Sequence, residues 1–258
     1  MRLCVTRIVL LVGLAVAAGG TAARGEEFRL ESWVYRGKEK APVSESLTLF
    51  QRGVVYDFAL PDLNEITIFD SDRAKFVMLD CERRVKTTLT TVELLEFVSN
   101  LKSDPKLAKQ AALFDPKFKE SFDAESKWLT LAGEPISYRA KLLDPKPTDS
   151  EVPQQYRRFA DWYSRLNAAY KGNLHTLARV PLNRAIAERG SVPEEVELSI
   201  HGKVGRIDVR SRHLFNWTLS QTDLKRIDKA NSGLADYQEI SLSEFKQTPK
   251  VTTASKEK

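Results

Sequence analysis

Two cysteines and three histidines in 258 residues leave little room for thiolate or imidazole chemistry. Cys4 lies within the first 25 residues, so Cys81 is the sole thiol of the body of the chain, and no internal disulfide forms there. Its predecessors Phe76-Val77-Met78-Leu79 predict burial in a strand, and the flanking charges of Asp80 and Glu82 disfavour the thiolate that a nucleophile needs. His175, His201 and His213 show no H-x-H or H-E-x-x-H spacing and no pairing with cysteine, so neither a metal nor a cofactor is expected. A G-x-S-x-G elbow and a glycine-rich phosphate loop are also missing.

Charge of one sign is scarce as well. The chain carries 40 Lys and Arg against 35 Asp and Glu. Three of the basic residues, Arg2, Arg7 and Arg24, fall in the first 25 positions, which hold no acid, so a net +5 becomes +2 beyond them. The remaining charges are interleaved, as in Asp80 to Lys86, which describes a solvated surface rather than a nucleic-acid footprint. Long hydrophobic runs are limited to Ile8–Ala18, too short to cross a bilayer. Basic residues before that run and small residues after it have the form of a secretory signal, with cleavage after Ala23 or Gly25. The sequence therefore predicts an exported protein, periplasmic or extracellular, with no lipid anchor and no transmembrane anchor after cleavage.

Apolar residues at every second position dominate from Glu27 to Cys81. Phe28, Leu30 and Trp33 open one strand, Leu47 and Leu49 mark a second, and Val54, Tyr56 and Phe58 a third. Ile66 and Ile68, then Phe76 and Met78, supply two more. Turn-formers at Gly37, Gln51-Arg52-Gly53, Pro61-Asp62 and Asp70-Ser71-Asp72 separate them, and links this short make antiparallel neighbours. Helical spacing follows: Thr90 with Glu93 forms a capping box before Leu94, Phe97, Val98 and Leu101, and a second short helix is expected after Pro105. Strand character returns at Trp128–Ala132 and Ile136–Leu142.

Tyr156, Phe159, Tyr163, Leu166 and Tyr170 then trace one helix face ending at Gly172, and another helix runs from about Pro181 to Gly190. Val196–Ile200, Ile207–Val209 and Leu214–Leu219 read as strands, Ser220 to Asp223 as the entry to a short helix with Thr222 as its cap, and Tyr237–Phe245 as a last extended segment. The expected fold class is α+β: a curved antiparallel sheet with one apolar face, packed by helices, with a helical insertion at about 150–190. The expected organisation is a signal at 1–25, a single domain at 26–247 and a disordered basic tail at 248–258.

The stretch Trp128-Leu129-Thr130-Leu131-Ala132-Gly133-Glu134-Pro135-Ile136-Ser137-Tyr138, with the order of meander, helices and returning strands, resembles the LolA-like lipoprotein-carrier fold. That resemblance is one of pattern, covers about half the chain, and implies a curved sheet closed by helices over an apolar cavity. It assigns no functional residue.

Function is read more thinly. The favoured reading is a non-enzymatic envelope protein that binds a lipid, another hydrophobic ligand or an envelope protein partner, with Tyr56, Phe58, Trp128, Phe215 and Trp217 as the ligand-facing wall. It requires a cavity between sheet and helices. The alternative is an exported hydrolase working through scattered carboxylates and His201 or His213; it requires such groups to converge in a cleft. A purely structural envelope role stands as a third reading.

Overall fold

The computed structural model describes residues 25–106, 111–145, 150–202 and 205–247. The expected signal, apart from Gly25, and the expected tail lie outside the described residues, as do Lys203 and Val204 of the Gly202–Gly205 turn.

Six strands form first: β1 (Phe28–Arg36), β2 (Ser44–Gln51), β3 (Val54–Leu60), β4 (Glu65–Asp70), β5 (Lys75–Asp80) and β6 (Val85–Thr90). Each pairs antiparallel with the one before it, as links of a few residues demand. The tightest link is Arg52-Gly53, where both residues take positive φ, and Gly53 does so without a Cβ penalty. Helix α1 (Thr91–Ser103), opened by the Thr90–Glu93 capping box, and the single turn α2 (Ala111–Phe114) then carry the chain to the far edge of the sheet. There β7 (Lys119–Asp123), β8 (Trp128–Ala132) and β9 (Ile136–Leu143) meander back inward.

Helix α3 (Val152–Lys171), a 3-10 turn (Leu174–Ala178) and α4 (Arg179–Ala187) intervene before β10 (Val192–Gly202) and β11 (Gly205–Asn216). Pro153 sits at the start of α3, and Gly172, at φ 70°, ends it in the left-handed region. Strand β10 pairs with β9, and β11 closes onto β1. Helix α5 (Gln221–Asp236), a two-residue strand β12 (Gln238–Glu239) and α6 (Leu242–Phe245) finish the fold. The result is one open, curled twelve-stranded sheet in the order β12-β6-β5-β4-β3-β2-β1-β11-β10-β9-β8-β7. Among the described residues only the β12–β6 contact is parallel. The architecture is α+β, a curved antiparallel sheet packed by helices, and residues 150–190 are a helical insertion between neighbouring strands β9 and β10.

Several local expectations are corrected. The sheet does not have a single apolar face. From β2 to β5 the burial runs through consecutive residues, because α5 covers one face with Ile227 and Ala230 while α3 covers the other with Tyr156 and Phe159. Cys81 lies in the turn after β5, half-buried, rather than inside a strand. Ser220, not Thr222, caps α5, since its hydroxyl accepts from the Asp223 amide and the Asp223 carboxylate reaches back to the Ser220 amide. The same box, Ser241 with Glu244, winds Leu242–Phe245 into a helical turn where extended chain was expected.

The insertion is no separate subdomain. Leu182, Ala185 and Ile186 of α4 pack on Leu129, Leu131, Ile136 and Ala140 of β8 and β9. Val152, Tyr156, Phe159 and Leu166 of α3 reach across to Phe28, Phe50, Phe69 and Phe76. Among the described residues no helix is long and apolar enough to cross a membrane.

Candidate functional site

Strand parity and register decide what meets beneath α3. Directly paired residues share a face, so Phe28, Phe50, Val55, Phe69 and Phe76 form a continuous row across β1 to β5. Their rings stack, with centroids 4.0 Å apart for Phe28–Phe50 and 4.6 Å for Phe69–Phe76, and Phe159 of α3 meets Phe50 edge-on at 5.7 Å. Further along each strand on the same face the chemistry changes. The pairs His213–Ser32–Ser46–Ala59 run from β11 to β3, and the pairs Leu30–Thr48–Asp57–Thr67–Met78 run from β1 to β5. Five strands thus contribute hydroxyl, imidazole or carboxyl groups to an inward face that is aromatic a few residues away.

Over this polar floor α3 does not close down, and a cavity of about 410 Å³ remains. Phe159, Ala160, Tyr163, Ser164 and Asn167 line it from the helix side. Tyr156, Arg179, Ser211 and His213 lie toward the β11 end, and Met78, Leu79, Tyr170 and Phe245 toward the β5 end. This volume falls in the range of small-molecule sites.

Two buried groups give the cavity its electrostatics. Asp57 receives hydrogen bonds from Thr48 Oγ1 at 2.7 Å and Tyr163 OH at 2.9 Å. Burial nevertheless outweighs those bonds and lifts its carboxyl above the ordinary value, while burial first and the Asp57 contact second push the Tyr163 phenol well up. His213 sits between two serines, with Nδ1 2.9 Å from Ser32 Oγ and Nε2 3.0 Å from Ser211 Oγ. Burial first, and the nearby Arg179 guanidinium second, press its pKa down to about 3, so the ring is neutral: one serine donates to it and the other accepts from it.

Arg179 is anchored through Nε to Asn183 Oδ1 at 2.9 Å, and Asn183 Nδ2 donates in turn to Asp161 Oδ1 at 2.9 Å. Asn183, 1 % exposed, therefore stands between the guanidinium and the nearest carboxylate of that chain of contacts. Arg179 itself makes no ion pair with any carboxylate of the described residues.

This arrangement can bind but is poorly built for acid–base catalysis. A general base works best with a pKa near the ambient pH, and His213 lies far below that, with serines rather than a carboxylate on both nitrogens. His201 is exposed at the end of β10, and its amide donates to the Pro135 carbonyl. His175 is half-buried in the 3-10 turn, where burial lowers its pKa. The two histidines of the hydrolase reading thus stand in different environments. Among the described residues no three His, Cys, Asp or Glu side chains gather closely enough to hold a metal ion.

The five wall candidates are distributed elsewhere. Tyr56 and Phe58 face the opposite side of the sheet, beneath α5, where Tyr56 OH donates to Asn231 Oδ1 at 3.1 Å. Phe215 joins the phenylalanine row and stacks on Trp217 at 5.5 Å. Trp128 lies on β8 under the Arg139 guanidinium, 4.4 Å from its ring centre. None of the five lines the cavity beneath α3. The polar lining is Ser32, Ser46, Thr48, Asp57, Thr67, Ser211 and Arg179, none of them marked by a sequence motif, together with His213, which the sequence offers only for the hydrolase reading. Their signal was parity: Thr48 and Ser46 stand two and four places before inward-facing Phe50, and Asp57 two after Val55.

No protein-family model matches the chain, and a search of curated proteins finds no match.

Proposed function

We propose that the protein is a non-enzymatic, exported binding protein that holds an elongated amphiphilic small molecule between its curved sheet and α3. The observation that carries this reading is the cavity of about 410 Å³ beneath α3, floored by hydroxyl, imidazole and carboxyl groups and bordered by aromatic rings. Polar side chains on an inward sheet face are unfavourable unless they meet partners, and several of these meet one another or a ligand-sized space. Asp57, Thr48, Ser32, Ser211 and His213 already pair within the floor and with α3, whereas Arg179 has no carboxylate partner among the described residues, so the ligand has a polar end as well as an apolar one. Export is supported by the charged and apolar pattern of the first 25 residues, and a carrier-like role by the resemblance of the strand and helix order to lipoprotein carriers. The serine-bracketed, neutral His213 speaks for binding over hydrolysis.

Native mass spectrometry of the protein recovered from the exporting cell's envelope tests this. The wild type is expected to carry one small molecule per chain. Ser46→Phe, which fills the floor, is expected to carry none while melting at a similar temperature. A wild-type mass equal to the bare chain, together with no gain in stability from envelope lipid extract, would remove the proposal.

A further inference from the structure

The cavity is electrically lopsided, and this deepens the binding reading on which it rests. At the β11 end stands Arg179, whose guanidinium has no carboxylate partner among the described residues and is held by the neutral Asn183 amide. Around it are groups able to donate: whichever of the Ser32 and Ser211 hydroxyls accepts from the His213 ring, and the Tyr156 phenol, on which the Arg179 charge acts directly. Toward the other end the charged lining is of opposite sign, with Asp57 in the floor and Glu45 and Glu65 at the rim, relieved by Lys171. Beyond them the slot ends against apolar Met78 and Phe245.

A partly buried guanidinium is costly to leave uncompensated, and the fold has an acid available. Asp161 is only one residue away through Asn183, yet Asn183 keeps the two apart and leaves the terminal nitrogens of Arg179 uncommitted to any acid. We infer that the β11 end of the cavity, formed by Arg179, Ser32, Ser211, His213 and Tyr156, receives the anionic head group of the ligand, whose apolar chain runs beneath α3 toward Met78 and Phe245. Planar carboxylate and tetrahedral phosphate both suit a guanidinium fork flanked by hydroxyl donors, so the shared chemistry is a singly headed anionic amphiphile. The slot crosses from β11 to β5, five strand spacings of about 4.8 Å each, which accommodates a chain of medium length lying across the strands. His213 is neutral and its two nitrogens are taken up by the serines, so among the described residues the positive charge of this end is that of Arg179.

Calorimetric titration of the purified, delipidated protein with decanoate, decyl phosphate and decanol tests the assignment with chains of equal length. Decanoate or decyl phosphate is expected to bind about tenfold or more tightly than decanol, the effect of one charge-assisted contact. Arg179→Gln is expected to abolish that preference while decanol binding stays unchanged, and Arg179→Lys to keep part of it. The ranking of the two anions identifies which head the fork fits. Equal binding of anion and alcohol by the wild type would overturn the anionic head while leaving the cavity reading intact. So would an unchanged preference in a folded Arg179→Gln protein. Absence of binding by all three probes would overturn both. The comparison within the wild type needs no variant, and circular dichroism confirms that each variant is folded.

Discussion

The two faces of the same strands have been put to different uses. On the face under α5, Leu47, Leu49, Tyr56, Phe58, Ile66, Ile68, Val77 and Leu79 meet Ile227 and Ala230 as a continuous apolar layer. On the face under α3 the phenylalanine row packs tightly, but the neighbouring positions are Ser32, Ser46, Thr48, Asp57 and Thr67, and a cavity remains above them. Strand alternation gives each face its own residue set, so one face holds the fold while a stretch of the other is released from that duty. The packed face and the phenylalanine row account for stability, and the polar stretch is free to serve a ligand.

Truncations sharpen this contrast. Phe76→Ala, fully buried in the phenylalanine row, is expected to cost about 4 kcal/mol, and Leu49→Ala on the α5 face about 3 kcal/mol, read from urea denaturation. Ser46→Ala, one strand pair from Ser32 on the cavity floor, should stay within about 0.5 kcal/mol of the wild type, since no packed volume is lost. If Ser46→Ala cost as much as Leu49→Ala, the floor would be structural and the contrast would fail.

The attachment of α5 comes next. Asp223, whose side chain is fully buried, caps its own helix through Ser220 and pairs with Arg29 of β1 at 3.2 Å. Asp223→Ala is expected to cost about 2 kcal/mol by thermal denaturation, because it removes a cap and leaves Arg29 with Glu31 as its remaining carboxylate partner. The corresponding change under α3, Asn183→Ala, should alter ligand preference more than stability by freeing Arg179 to turn.

Acid and base act on the cavity face by a smaller effect. The folded-state pKa of His213 lies near 3, below its ordinary 6.5, so the unfolded chain takes up a proton first and stability falls as pH drops below about 6.5. Part of the ring borders the cavity, so the loss by pH 5 is put at about 1 kcal/mol, and His213→Gln should remove it from thermal melts. Asp57 has the reverse sign. Its raised pKa means the unfolded carboxyl releases its proton first, so stability is lost as pH rises above 3.8, and Asp57→Asn should flatten that decline. Gly172→Ala at the left-handed end of α3 is expected to cost about 1 kcal/mol in the same melts.

How far these features could be read in advance depended on period. Strands β1 to β5 and the long helix α3 were legible because their apolar residues recur at two and at three to four. Strand β6 was not, since Thr87, Thr88 and Thr90 mask its alternation, and β7, exposed along its whole length at the sheet edge, has no buried side to show. The capping box at Thr90 was plain; that at Ser241 was hidden by the short helix it opens. The floor of the cavity escaped because two-sided burial makes both parities of a strand apolar in places, and the polar members then look like outward residues. Arg179 sits at the start of α4, far in sequence from Ser32 and His213, and only the crossing of the insertion over the sheet brings them together.

Hydrogen exchange with and without saturating decanoate compares the two faces in a single measurement. Slowed exchange in α3 and in the strands bearing Ser32, Ser46 and His213, with α5 unchanged, is the result that a ligand seated between sheet and insertion requires. Protection spread equally over α3 and α5, or confined to α5, would contradict it.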